Sequence, residues 1–150
     1  MKKFLLGLLV GLFLGAIGGF AIAFCIGWFV LVPQIRRANQ DWQKESTVST
    51  LQTLRGQIEL FKVQHGDRPP AAGALVEVMM GKTNASDVAK TDPAGTYGPY
   101  FPSAFPVNPE NGQSAVGLAP SPSVGWVYTV HGSEYRIEAV NAEGTGVMAY

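Results

Sequence analysis

The sequence predicts an α+β protein in which a long N-terminal helix, with a transmembrane half and an amphipathic half, packs on a small C-terminal antiparallel sheet. Three features of the 150 residues support this fold class. They are an apolar run without a charged side chain, an apolar stripe with helical period, and two alternating segments near the C-terminus. The predicted organisation is an anchor helix, residues 1–33, followed by one domain, residues 34–150.

Residues 4–32 contain no charged or strongly polar side chain over 29 consecutive positions. Because a helix needs about 20 apolar residues to cross a bilayer, this run is long enough for a transmembrane anchor. The alternative is a signal peptide cleaved after Ala23, although the apolar region of such peptides usually spans about 7–15 residues. Cleavage there would leave a strongly apolar segment on a soluble N-terminus, so the sequence favours an uncleaved anchor.

Basic residues flank the apolar run on both sides, with Lys2 and Lys3 before it and Arg36 and Arg37 after it. A short basic head before a long apolar run favours a cytoplasmic N-terminus. Beyond residue 33 the chain has 9 Lys and Arg against 11 Asp and Glu, a net charge of −2, which gives no electrostatic footprint for nucleic acid. We therefore expect a single-pass protein of the inner (cytoplasmic) membrane, in contact with membrane lipid, whose C-terminal domain is extracytoplasmic.

An amphipathic helix is predicted before residue 66. Its apolar stripe repeats every three or four residues: Val48, Leu51, Leu54, Ile58, Phe61 and His65. Gly66 and the prolines at 69 and 70 end this helix, while the Ser and Thr cluster at 46–50 is a place where it could break. A short second helix is expected over residues 74–79, ending at Gly81.

The strongest strand signal comes late in the chain. Trp126, Tyr128 and Val130 occupy alternate positions, and so do Tyr135, Ile137 and Ala139. A short turn over residues 131–134 would join them as a hairpin. Residues 82–123 carry repeated turn signals and read as loops, and a further strand is expected over residues 146–150.

We find no residue pattern for catalysis, for a cofactor or for a metal, so the sequence does not indicate an enzyme. The two histidines lie at a helix end and in a hairpin turn, and no nucleophile motif, paired cysteines or phosphate-binding glycine loop is present. Oxygen-bearing side chains lack the dense aspartate spacing of a calcium loop and read as turn residues: Asn108, Glu110, Asn111 and Glu143. Asn84-Ala85-Ser86 matches a glycosylation acceptor.

Small residues recur every four positions in the apolar run: Gly7, Gly11, Gly15, Gly19, Ala23 and Gly27. Small side chains at this spacing let two helices approach closely within a membrane. The alternative is that the ladder only reflects the glycine-rich composition of membrane helices. We predict that the ladder packs against a second copy of the chain or against another subunit.

Three stretches together resemble a known family. Val32-Pro33-Gln34 is similar to the proline–glutamine at which the pilin helix bends, and residues 54–69 are similar to the amphipathic helix of pseudopilins with its closing glycine and proline. The loops and the final sheet supply the third stretch: Gly98-Pro99-Tyr100, residues 105–109, Asn111-Gly112 and residues 125–128. The chain resembles type IV pilin-like proteins, and most closely the major pseudopilins of type II secretion.

The resemblance implies a structural subunit or accessory of a bacterial type II secretion or type IV pilus-like assembly, acting through helix packing with other pilin-like subunits. It also places the precursor cut after Gly11, where no prepilin motif is recognisable, and puts Ala16 at the position of the family's glutamate. The calcium loop of major pseudopilins does not carry over, because residues 141–150 contain no aspartate. The alternative is a stand-alone membrane-tethered extracytoplasmic domain that binds or scaffolds a partner.

Overall fold

The computed structural model describes residues 41–148, and residues Gln43–Tyr150 fall in one compact unit. Helix α1 covers residues 41–64. It is followed by the 3-10 turn Ala72–Ala74, helix α2 (Leu75–Met80) and the strands β1 (Val116–Gly117), β2 (Trp126–His131) and β3 (Glu134–Ala139). The predicted anchor, its boundary at residue 33 and its small-residue ladder lie outside the described residues.

Helix α1 buries the predicted stripe. Leu51, Leu54, Ile58, Phe61 and His65 are at most 1% exposed, and the four apolar members share one core with β2 and β3, which confirms the predicted burial under the hairpin. Thr47, not Val48, is the buried residue one turn before Leu51. The helix does not break at the Ser and Thr cluster, where the Thr47 and Thr50 hydroxyls donate to backbone carbonyls one turn earlier, at 2.8 and 2.9 Å.

The C-terminus of α1 is capped where the sequence predicts. Gly66 and Asp67 adopt positive φ angles of 67° and 62°, and the Asp67 N–H donates to the Lys62 carbonyl at 2.8 Å. This bond to the carbonyl five residues earlier closes the last turn. The Arg68 Nε then donates to the His65 carbonyl at 3.0 Å, so a side chain satisfies another carbonyl of the helix end.

The predicted second helix is confirmed, with Leu75, Val78 and Met79 buried and Gly81 at its C-cap. The predicted hairpin is confirmed as well. Strands β2 and β3 pair in antiparallel register from Trp126 opposite Ala139 to His131 opposite Glu134, and Gly132 in the turn has a φ of 64°.

The predicted fold class is wrong, however. Besides α1, the described residues hold two short helical elements and a three-stranded sheet that is mixed and not antiparallel, because β1 pairs with β2 in parallel through Val116 opposite Trp126. The loop between these strands turns back on itself, so that the Gly125 and Trp126 N–H groups both reach the Ala115 carbonyl. The chain therefore enters β2 in the direction in which it left β1, and alternation alone gives no sign of this pairing.

The expected strand at residues 146–150 is not formed in its described part, where Val147 makes only an isolated bridge to Val140. The transmembrane half of the predicted long helix lies outside the described residues. Among residues 41–148, no helix is both long enough and apolar enough to span a bilayer.

Candidate functional site: the outward face of α1 and the groove beside β3

Between residues 49 and 63, one face of α1 points away from the core and carries no charge, while the exposed Glu45 continues this face one turn earlier. It is formed by five exposed residues at helical spacing: Ser49, Thr53, Gly56, Leu60 and Val63. Residues three and four apart share a face, so this outward face of α1 lies opposite the buried stripe. Val63 is 79% exposed and Leu60 is 45% exposed. The Thr53 hydroxyl already donates to the Ser49 carbonyl at 3.0 Å, which lowers the polarity of the face further.

An open groove of about 560 Å³ lies between α1 and β3. Its lining combines α1 residues with β3 and the segment after it: Leu51, Arg55, Glu59, Tyr135, Arg136, Ile137, Glu138, Val147 and Met148. The Arg55 guanidinium donates to the Ile137 carbonyl at 3.3 Å, and the Tyr135 hydroxyl donates to the Arg55 carbonyl at 3.3 Å. These two bonds fix the helix against the strand at one side of the groove.

The charges around the groove are largely balanced. Arg136 pairs with Glu138 at 2.7 Å, and Lys62 pairs with Glu59 at 3.6 Å while its ammonium lies 5.7 Å from the centre of the Tyr135 ring. Burial, followed by the nearby Glu59 carboxylate, raises the pKa of the Tyr135 hydroxyl. The groove is therefore lined by apolar and charged side chains together, and its charges are of both signs.

His65, which the sequence placed at a helix end, is fully buried. Its ring stacks on Phe61 with 3.7 Å between the centroids, and its Nδ1 lies 2.8 Å from the Phe61 carbonyl oxygen. Tyr100, whose hydroxyl donates to Gln64, has a pKa raised chiefly by burial. These residues connect the end of α1 to the loop segment and hold it there. His131, in contrast, is exposed at the hairpin turn.

The side chains considered for calcium do different work. Asn108 is fully buried, and its amide donates to the carbonyls of Gly125 and Val140 at 2.8 and 2.7 Å. The Asn111 amide donates to the Val124 carbonyl at 2.9 Å, and Glu143 is exposed. Within residues 41–148, no three His, Cys, Asp or Glu side chains come together as metal ligands.

Asn84, the residue of the glycosylation pattern, is half-buried, and its amide donates to the Asp92 carboxylate. The small-residue ladder, Cys25 and the positions that the pilin resemblance singles out, Gly11 and Ala16, lie outside the described residues. Sequence reasoning missed both the groove and the outward face of α1. The face could have been found, since an uncharged stripe at helical spacing runs opposite the predicted core stripe.

Comparison of the chain with protein-family models, with curated proteins and with solved structures gives no significant match.

Proposed function

We propose that the chain is a pilin-like structural subunit or accessory of a bacterial type II secretion or type IV pilus-like assembly, and that it works by helix packing. The proposal includes a single-pass anchor in the inner membrane with the domain on the extracytoplasmic side. It excludes catalysis as the main activity. The resemblance of residues 54–69 and of the loops that follow to pseudopilins supports it.

The observation that carries the proposal is the outward face of α1. A helix whose outer face meets only solvent normally carries polar and charged side chains there. The nearby charged residues Arg55, Glu59 and Lys62 lie to one side, and the face itself keeps Leu60 and Val63 exposed. An uncharged face of small and apolar residues is suited to contact with another helix.

Gly56, in the middle of the outward face of α1, is a glycine that packing within the chain does not require. A Cβ atom placed on Gly56 would meet nothing within 4 Å, so the fold of this chain does not require a glycine there. Glycine within a helix costs about 0.5–1 kcal/mol relative to alanine. A helix of a neighbouring subunit that approaches closely at this point accounts for a residue that intramolecular packing leaves unexplained.

Cysteine crosslinking in membranes of the bacterial cell that makes the protein tests the proposal. The only native cysteine, Cys25, is first replaced by alanine. The Val63→Cys variant should then crosslink to another copy or subunit with a short bismaleimide. The Leu118→Cys variant is the matched control and should crosslink much less, because Leu118 is 69% exposed but far along the chain in the β1–β2 loop.

Substitution of Gly56 by leucine gives the second arm. The new side chain has room within the chain but blocks a close approach on the outward face of α1, so crosslinking of the Val63→Cys variant should fall while the thermal melting temperature is maintained. Gly73 is also exposed with nothing within 4 Å of an added Cβ, and Gly73→Leu should leave crosslinking unchanged. If the Val63→Cys and Leu118→Cys variants crosslink equally weakly, the outward face is not a packing face, and the stand-alone membrane-tethered binding or scaffold domain becomes the better proposal.

A further inference from the structure

The end of strand β3 is paired with the segment that follows it in the chain. Val140 and Val147 form an antiparallel bridge. Two backbone hydrogen bonds flank this bridge, at 2.9 and 2.8 Å: the Asn141 N–H to the Gly146 carbonyl, and the Met148 N–H to the Ala139 carbonyl. The chain therefore turns back after β3 and runs antiparallel along the outer edge of the sheet as far as residue 148, where the described residues end.

The register of this pairing leads to Ile137. Each residue after Met148 comes opposite a residue one position earlier in β3, so residue 150 comes opposite Ile137. Because His131 and Glu134 face each other across the hairpin turn, the N–H and C=O groups of Ile137 point away from β2 and toward this outer edge. Arg55 donates to the Ile137 carbonyl at 3.3 Å, and a carbonyl oxygen can accept a second hydrogen bond.

The groove between α1 and β3 lies on the same side of this edge as the side chain of Met148. Met148 lines the groove together with Leu51 of α1 and Ile137 of β3. Side chains two positions apart in an extended segment point to the same face, so extended chain after Met148 would direct the next such side chain, that of Tyr150, into the groove. The groove volume of about 560 Å³ falls in the range of about 300–1,000 Å³ that holds small ligands, which is room enough for one aromatic ring.

We propose that the chain closes this groove with its own residues 149 and 150, so that the backbone of Tyr150 bonds to Ile137 and its ring packs on Leu51. A tyrosine suits the position, because its ring is apolar and its hydroxyl can bond to the charged groups of Arg55 and Glu59 that also line the groove. A strand of another chain would lose translational and rotational freedom on binding, whereas only two residues beyond the fixed Met148 need to be ordered here.

Closure of the groove would leave the outer edge of β3 covered near Ile137. A covered edge does not offer backbone groups for pairing with strands of other chains, so the last residues would act as a strap that limits association to other surfaces. The inference does not depend on the proposed function, because assembly would use the outward face of α1.

Amide hydrogen exchange of the full-length chain in detergent micelles, followed by NMR, tests the backbone part of the proposal. Removal of residues 149 and 150 should lower the protection of the Ile137 N–H by about tenfold or more, because that N–H loses its acceptor. The Arg136 N–H is the matched control, since Arg136 pairs with Thr129 on the other side of β3, and its protection should change by less than about twofold. Equal protection of the Ile137 N–H in the two chains would overturn the proposal.

Nuclear Overhauser effects test the side-chain part on the unmodified chain, so the result stands even if the shortened chain loses stability throughout. The Tyr150 ring protons should show cross-peaks to the methyl protons of Leu51, and their absence would overturn the proposal. Tyr150→Phe should keep the protection of the Ile137 N–H, whereas Tyr150→Ala should lower it several-fold.

A mixture of isotope-labelled and unlabelled chains decides which copy supplies the ring. Cross-peaks between Tyr150 and Leu51 should be confined to labelled chains, because the contact lies within one molecule. Cross-peaks between a labelled and an unlabelled chain would show that a second copy fills the groove, and the proposal of closure by the chain's own residues would be wrong.

Discussion

Helix α1 with the hairpin, and the segment between α2 and β1, are stabilised in different ways. The helix and the hairpin bury apolar side chains at regular spacing, with Leu54, Ile58 and Trp126 at 0% exposure. The segment between α2 and β1 contains no helix or strand. It adds Tyr100, Phe101 and Phe105 to the core, and it is joined to the strands by individual hydrogen bonds. The Asn108 amide donates to the Gly125 carbonyl at 2.8 Å, and the Trp126 Nε1 donates to the Pro106 carbonyl at 2.8 Å.

This difference predicts how the stability of each region responds to substitutions. Burial of apolar area is not directional, so the helix and hairpin should lose stability in proportion to the volume removed from their interface. Hydrogen bonds are directional, and a buried carbonyl that loses its donor costs the full penalty of an unsatisfied group. The loop segment should therefore depend on a few individual atoms, which is the contrast that the following substitutions test.

Phe61→Ala should have the largest effect. The side chain is fully buried and stacks on His65, so its removal leaves a cavity and an unsupported ring. We expect a loss of about 3–5 kcal/mol in the free energy of unfolding, measured by denaturant unfolding of the full chain followed by near-ultraviolet circular dichroism. Val63→Ala, on the outward face of the same helix, is the control and should change stability by less than about 0.5 kcal/mol. Equal losses of stability in Phe61→Ala and Val63→Ala would contradict the burial of one face of α1 and the exposure of the other.

Asn108→Ala should rank second. It removes two bonds to the carbonyls of Gly125 and Val140, and the bond from the Glu110 N–H to Oδ1 at 2.9 Å. We expect a loss of about 2–3 kcal/mol, since buried groups are left unsatisfied. Asn111→Ala is the matched control and should cost less, about 1 kcal/mol, because at this half-buried position it removes one bond to the Val124 carbonyl and one from the Gln113 N–H, at 2.9 and 3.0 Å. If the two substitutions lowered the free energy of unfolding equally, burial would not determine the strength of these hydrogen bonds.

Tyr128→Phe should change both the stability of the fold and its dependence on pH. The Tyr128 hydroxyl is buried and donates to the Pro70 carbonyl at 2.9 Å, and its loss should cost about 1–2 kcal/mol near neutral pH. Burial raises the pKa of this hydroxyl above the ordinary value of 10.0. Because the folded state holds the proton more tightly, the stabilisation is complete below pH 10 and is lost as the pH rises above it.

The melting temperature of the parent chain should therefore fall above about pH 10 more steeply than that of Tyr128→Phe. Part of the fall should persist in the variant, because burial raises the pKa of Tyr135 in the same direction. Parallel curves for the parent and the variant would rule out a contribution of Tyr128 to alkaline unfolding.

Gly56→Ala should have the smallest effect, and its sign should be opposite. An added Cβ meets nothing within 4 Å, and alanine stabilises a helix interior by about 0.5–1 kcal/mol relative to glycine. The melting temperature of the full chain in micelles should rise by a few degrees. A fall would show that Gly56 has a role within the fold, and the packing argument for the outward face of α1 would lose its best support.

Local periodicity and turn chemistry were enough to predict the elements that are regular. The stripe from Leu51 to His65, the cap at Gly66 and the hairpin at residues 131–134 were all predicted, because each depends on residues close together in the sequence. Val48 and Thr47 show the limit of this reasoning. They differ by about 100° around the helix, and the hydroxyl bond that makes Thr47 suitable for burial was not apparent from hydrophobicity.

Contacts between residues that are distant in the sequence could be found only from the tertiary structure. The parallel pairing of Val116 with Trp126 depends on how a loop folds back, and the donors on Asn108 select carbonyls 17 and 32 residues away. The groove beside β3 likewise lies between distant parts of the chain, where Arg55 donates to the Ile137 carbonyl, 82 residues later. A sequence pattern reports which residues are apolar or can turn the chain, whereas a hydrogen bond between distant segments depends on angles and distances that only the packed core sets.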